Sequence, residues 1–193
     1  MNKYKVFSNP IKNMPWEDRP KGNANPVWRS SLNPIVKRNP VEGIARIFNS
    51  AVVPWENDTF IGVFRAETVH TLPHLRVGRS VDGINWEFEK KQLEMVDEEG
   101  KSWNPYYAYD PRVVKVEDDY YVIWCTEAHG PAIGLAKTKD FKKFIRLENP
   151  FIPFNRNGVL FPRKINANIK YYPVLPITVI RRSAISSYRK VRI

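Results

Sequence analysis

The sequence predicts an all-β chain of the β-propeller type, and three observations carry that prediction. Short segments of alternating or β-branched residues, bounded by turn signals, fill the middle of the chain. Those segments fall into two passages that align with each other at a period of about 60 residues, with Phe64 matching Trp124 and Gly78 matching Gly134. Four short strands per repeat at such a period is the pattern of propeller blades. A third copy begins at "NGVLFPRKIN" and then breaks off in what should be its first hairpin.

Residues 1–45 are rich in Pro and Asn with little periodicity, and read as an extended arm over the β-domain. The first repeat supplies "NSAVVPW", "TFIGVFRAE", "HLRVGRS" and "NWEFEK", with "END" and "VDG" as turns. A polar link follows. The second repeat supplies "PRVVKVE", "YYVIWCTEA", "AIGLAKT" and "FKKFIRLE", with "DD" and "KDF" as turns. The partial propeller therefore spans 46–166, about two blades and the start of a third. Each blade of a propeller buries its faces on its neighbours, so such a set leaves one flank bare.

A chain of 193 residues is long enough for one domain with a sizeable core. Charged residues at 26% and hydrophobic residues at 42% place it among soluble globular proteins. Six Trp and nine Tyr suit either sugar-binding surfaces or the aromatic core of a β-rich fold. The single cysteine, Cys125, lies in the apolar run "YYVIWCTE" and reads as a buried structural thiol in a reducing compartment. The first twenty residues lack an apolar signal-peptide core, and no stretch is long and apolar enough to span a membrane, so a cytoplasmic location is expected. The net charge is +11, yet six of the basic residues sit in the last 27 positions. With no zinc-finger spacing, RNP-type motif or basic helix, no nucleic-acid partner is expected.

Polar residues at strand ends mark the candidate site. They are Asn49 and Ser50 in "FNSAVV", Asp110 and Arg112 in "YAYDPRVV", and Asn155, Arg156 and Asn157 in "PFNRNGVLFPRK", with Arg65 ending "IGVFR". Asn49, Asp110 and Asn157 hold matching places in successive repeats, and matching places on inner strands converge on the channel of a propeller. A competing reading makes Asp110 a turn carboxylate in "YDP" and Arg156 a solvated loop cation. His70, His74 and His129 lack metal-ligand spacing, and no metal site is expected.

At these residues the sequence resembles a known family. "PWEDRP", "FNSAVVPW", "GVFR", "YDPRV", "YYVIWC", "HGPAIGLAKTKDF" and "LENPFIPFNRNGVLFPRKIN" occur in order over residues 14–166 and are similar to glycoside hydrolase family 130, in particular its mannooligosaccharide and mannoside phosphorylases. The resemblance implies a five-bladed β-propeller and inverting phosphorolysis of β-linked mannosides to α-mannose 1-phosphate. It implies no cofactor, with inorganic phosphate as co-substrate, and the family includes homo-oligomers. An inverting glycosidase needs an acid and a base that activates water, whereas phosphate is already an anion and needs no base. By the resemblance, Asp110 is the catalytic acid, Asn49, Ser50, Arg65 and Asn157 hold the mannosyl unit, and Arg156 binds phosphate. A β-mannoside hydrolase of the same family, and a non-catalytic carbohydrate- or nucleic-acid-binding fragment, are the alternatives.

The resemblance stops after Asn166. Residues 167–193 contain no Gly, Asp, Glu, Trp or Phe, and read as the product of a shifted reading frame, so the chain is expected to be truncated and inactive by itself. Within this segment "PVLPITVI", apolar and β-prone, is expected to pair with the bare edge of the third repeat.

Overall fold

The computed structural model describes residues 11–127 and 130–174. They form an all-β fold of three sheets. The first sheet is an antiparallel meander of β1 (Ile44–Trp55), β2 (Thr59–Thr68), β3 (Pro73–Ser80) and β4 (Glu87–Phe88). The β1–β2 connection is the predicted "END" turn. Asn57 and Asp58 both take positive φ there, which their short polar side chains tolerate.

The second sheet has the order β6-β5-β10-β9-β8-β7. Its meander comprises β7 (Tyr109–Val116), β8 (Asp119–Thr126), β9 (Ala132–Thr138) and β10 (Phe144–Leu147), the predicted second repeat. The polar link holds two strands that the sequence did not announce, β5 (Met95–Val96) and β6 (Ser102–Trp103). β5 runs parallel to β10 and antiparallel to β6. A two-residue strand carries no periodicity to read, and tertiary packing selects it: Met95 is 1% exposed.

Alternation along the strands divides the core. On β2, Ile61 and Val63 face the second sheet and meet Val122, Trp124 and Ala136, while Phe64 and Ala66 face outward with Trp86 and Phe88. On β8, Tyr121 and Ile123 face the third sheet and pack with Leu160, Ile169 and Tyr171. The arm covers the outer side of the first sheet, where Val36 and Val41 pack on the Phe64 cluster and Lys12 pairs with Asp58 at 3.2 Å.

Phe64 and Trp124 do occupy equivalent rungs, but the two glycines do not. Gly78 lies opposite Gly62, whereas Gly134 lies opposite Trp124 itself. Each glycine still makes room for a ring. A Cβ on Gly134 would lie 2.2 Å from Trp124 Cε2, and one on Gly78 would lie 2.9 Å from Phe64 Cε2.

The third sheet pairs β11 (Arg156–Leu160) with β12 (Tyr171–Val174). The packing thus continues past the expected boundary at Asn166. Ile169 and Tyr171 are 1% and 2% exposed, inside a core cluster. Pairing with the third-repeat strand begins earlier than expected, at Tyr171, and includes Pro173 and Val174 of the β-prone "PVLPITVI" stretch. The remainder of the 167–193 segment, residues 175–193, lies outside the described residues. Among the described residues, no helix is long and apolar enough to cross a membrane.

Candidate active site

One local device recurs in all three sheets. The ladder of β1 is interrupted between Phe48 and Ala51, that of β7 between Tyr109 and Arg112, and that of β11 between Arg156 and Val159. At each interruption one residue turns to positive φ: Asn49 (47°), Asp110 (50°) and Asn157 (53°). Asn and Asp are the non-glycine residues that enter this region most easily, so the sequence is locally suited to a bulge at these places. A bulge re-aims its side chain out of the strand alternation, which brings side chains from different strands together.

Around Asp110 they meet. Asn49 Nδ2 donates to Asp110 Oδ1 at 2.7 Å, and Arg65 Nη1 donates to the same oxygen at 2.9 Å. Among the described residues Oδ2 takes no such bond. The Arg65 guanidinium lies between two rings, its Cζ 4.6 Å from the Phe48 centroid and 5.2 Å from that of Tyr109. Its Nε and Nη2 donate to Glu67 Oε1, whose other oxygen accepts from Arg46 Nε at 2.7 Å. Arg65 and Glu67 share a face of β2 because they are two residues apart. Burial alone would lower the Arg65 pKa, but its bonds to Asp110 and Glu67 outweigh that and raise it. This cation keeps its charge at any working pH.

A second cluster adjoins the first through Tyr109. Its hydroxyl donates to Glu127 Oε1 at 2.8 Å, and Arg156 Nη2 donates to the same oxygen at 2.7 Å. Burial, then the bond to Glu127, raises the Tyr109 pKa, so the phenol stays protonated. The Arg156 side chain remains 40% exposed, free to offer further N–H groups to an oxyanion.

The predicted residues therefore separate into four groups. Asn49, Arg65 and Asp110 are in direct contact, and Arg156 joins them through Glu127 and Tyr109. Asn157 lies beside Cys125, with its backbone N–H 3.3 Å from Sγ, and burial pushes that thiol up. Ser50 lines a different groove, between the arm and the first sheet, with Met14, Val36 and Phe64. Arg112 is occupied with backbone, donating to the Pro111 carbonyl at 3.1 Å.

Glu67, Glu127, Tyr109 and Arg46 were not singled out from the sequence. A signal for the two glutamates was present. The pairing of Phe64 with Trp124 also superposes Glu67 in "FRAE" on Glu127 in "CTEA", so each repeat places a carboxylate at the same strand end. Each of them holds an arginine.

The model of the family described as beta-1,4-mannooligosaccharide phosphorylase, glycoside hydrolase family 130, matches residues 8–178. The chain belongs to glycoside hydrolase family 130. The match passes residue 166 and includes the strand β12. A beta-1,4-mannooligosaccharide phosphorylase of Ruminococcus albus is 46% identical over 165 residues, which are 81% of this chain and 48% of that protein. A beta-1,2-mannobiose phosphorylase of Listeria innocua is 32% identical over 106 residues, 53% of this chain and 28% of that protein. The family member thus spans about half the length of the Ruminococcus relative. The solved complex of the Listeria beta-1,2-mannobiose phosphorylase with beta-1,2-mannobiose superposes with a TM-score of 0.61 at 19% identity, covering 79% of this chain and 60% of that one. That likeness concerns the fold.

Proposed function

We propose that the chain carries the donor-site half of a β-mannoside phosphorylase, in which the three sheets are successive blades of a five-bladed propeller. Phosphate attacks the anomeric carbon of a β-linked mannosyl unit. The carbon–oxygen bond to the leaving sugar breaks, that oxygen gains a proton, and α-mannose 1-phosphate forms with inversion. Asp110 is the acid, acting through the substrate or directly on the leaving oxygen. Asn49 and Arg65 fix the rotation of its carboxyl, and Arg156, joined to that cluster through Glu127 and Tyr109 and 40% exposed, receives phosphate.

The observation that carries this reading is the placing of the carboxylates, of which one stands on a bulge and two at strand ends holding arginines. An inverting hydrolase needs a second carboxylate to activate water. At this site Glu67 is bound to Arg65 and Arg46, and Glu127 is bound to Arg156 and Tyr109. Among the described residues Asp110 and Glu127 each keep one oxygen outside such bonds, but of the three carboxylates only Asp110 stands on a bulge that re-aims its side chain out of the strand alternation. One acid among arginines suits an anionic nucleophile. The names of both curated relatives, each a mannoside phosphorylase, support the same substrate class.

The test uses the chain as it stands and a chimera in which the residues after 178 come from the Ruminococcus relative. Both are incubated with β-1,4-mannobiose and phosphate, and mannose 1-phosphate is measured. The chimera is expected to release it, and Asp110→Asn to abolish release. Free mannose formed without phosphate would assign the hydrolase instead, and full activity in Asp110→Asn would place the acid elsewhere.

A further inference from the structure

On the Trp124 face of the second sheet, opposite the face that carries Glu127, a pocket of about 300 Å³ opens. That volume lies at the small end of the range of ligand sites, about 300–1,000 Å³. Its walls include Trp103, Asn104, Tyr106, Trp124, Arg146 and Asn149. None of these takes part in the Asp110 or Glu127 clusters.

Two features point to a ligand. First, two donors here are buried and unmet among the described residues, the indole Nε1 of Trp124 and Nε of Arg146. Trp124 is 1% exposed. Buried donors are almost always satisfied in native proteins, and these two unmet ones belong to residues of one pocket wall. Second, the wall is aromatic. Trp103 and Trp124 lie with ring centroids 6.1 Å apart, and Tyr106 is 64% exposed. Arg146 covers one face of Trp103, its Cζ 4.4 Å from the centroid, which orients the guanidinium toward the same space.

Charge selects the class of ligand. Arg146 also borders a depression lined by Asp97, Glu98, Glu99 and Glu148. That acidic surround disfavours an anion beside Arg146 and leaves neutral acceptors. A molecule with neutral oxygens on its rim and C–H faces for stacking is a sugar ring, and the exposed amides of Asn104 and Asn149 can bond its hydroxyls.

We infer that this pocket is a second carbohydrate site, which holds one glycosyl unit of an oligosaccharide apart from the Asp110 cluster. The choice of a mannosyl ligand rests on the function proposed above. Thr126 links the two regions: it lines the pocket, precedes Glu127, and donates to the Tyr106 carbonyl at 2.7 Å. An oligosaccharide anchored here raises the local concentration of substrate without contacting the acid.

The experiment is an NMR titration of the 193-residue chain labelled at the tryptophan indole nitrogen, with β-1,4-mannotriose in the millimolar range and no phosphate. The Trp124 resonance is assigned by its loss in Trp124→Phe. It is expected to shift saturably with mannotriose. Asn149→Ala and Asn104→Ala, both at exposed positions, should each weaken binding about fivefold, the loss of one hydrogen bond. Asp110→Asn should leave the titration unchanged. A Trp124 resonance that stays still, or one that inorganic phosphate alone moves as far, overturns the proposal. A preserved shift alongside absent phosphorolysis in the chimera removes the catalytic reading and keeps this site. The reverse pattern removes the site alone.

Discussion

Glu67 offers the sharpest test of how the site is held. Its side chain is 4% exposed and its two oxygens serve two arginines. Truncation by Glu67→Ala removes both pairs, but their consequences differ. Arg46 is 55% exposed and can return to water, so its share is below about 1 kcal/mol. Arg65 is 21% exposed and lies between the Phe48 and Tyr109 rings, where rehydration is restricted. Removing one partner of a buried pair costs about 3–5 kcal/mol because the other charge is left uncompensated. The bond from Arg65 to Asp110 survives, which brings the expected loss to the lower end, about 3 kcal/mol. Against a total stability of about 5–15 kcal/mol for a domain, that is a large fraction.

The assay is urea unfolding followed by tryptophan fluorescence, with Glu67→Ala, Arg65→Met, Arg46→Ala and the Glu67→Ala/Arg65→Met double variant compared at constant slope. The double variant no longer strands the Arg65 charge, and the loss of Arg65 from Asp110 is common to it and Arg65→Met, so it should be less destabilised than the sum of its singles. Strict additivity, or a Glu67→Ala loss no greater than that of Arg46→Ala, would refute the argument.

Further outcomes are expected from the same structure. Asp110→Asn keeps the bulge conformation, because Asn is equally at ease at positive φ; its unfolding midpoint should move by less than about 1 kcal/mol while chimera activity is lost. Gly134→Ala sets a Cβ 2.2 Å from the buried Trp124 ring and should destabilise by about 3 kcal/mol, read by the same unfolding curve. Burial and the neighbouring Arg76 hold His74 down at about 4, from an ordinary 6.5. The unfolded chain therefore takes up a proton there before the folded one does. Stability should fall as pH drops from about 6.5 toward about 4 and be flat in this respect above it. His74→Gln should reduce that slope in unfolding midpoints measured across the window. Arg156→Met in the chimera should raise the KM for phosphate more than that for mannobiose.

Much of the fold was legible in the sequence. All eight strands expected in the two repeats are present, since their segments alternate over several residues and adjoin polar turns, although β4 forms only over Glu87–Phe88 of "NWEFEK". β5 and β6 were not legible, because two residues between charged neighbours carry no period and Met95 earns its strand only by meeting β10. The expected end of the propeller at Asn166 was placed where the resemblance to the family was taken to stop, with the tail's composition in support, but Ile169 and Tyr171 supply apolar contacts beyond it. At the site, Asn49 and Asp110 were found because equivalent places in repeats converge, and Arg65 from the end of its strand and the family resemblance, whereas Asn157, the third equivalent place, lies beside Cys125. Ser50 was named with them from the motif "FNSAVV" and the family resemblance, yet consecutive residues at a bulge point in different directions, and it lines the groove by the arm.

The repeats also explain why one site contains both a fixed frame and a variable group. β1, β7 and β11 each bulge at the same place, and each occupant is Asn or Asp, because those residues reach positive φ without a glycine's lost side chain. Across from two of those bulges, at equivalent ends of β2 and β8, stand Glu67 and Glu127, each tethering an arginine. The frame is thus a guanidinium held by a carboxylate, repeated once. What differs between the bulges is a single substitution of oxygen for an amide nitrogen: Asn49 can only steady the neighbouring group, whereas Asp110 can carry a proton. An Asn49→Asp change would fit the backbone equally well, but it would set a second carboxylate 2.7 Å from the first, where Arg65 alone would have to compensate both. The asymmetry between Asn49 and Asp110 therefore follows from electrostatics, and the symmetry of their backbones from the fold.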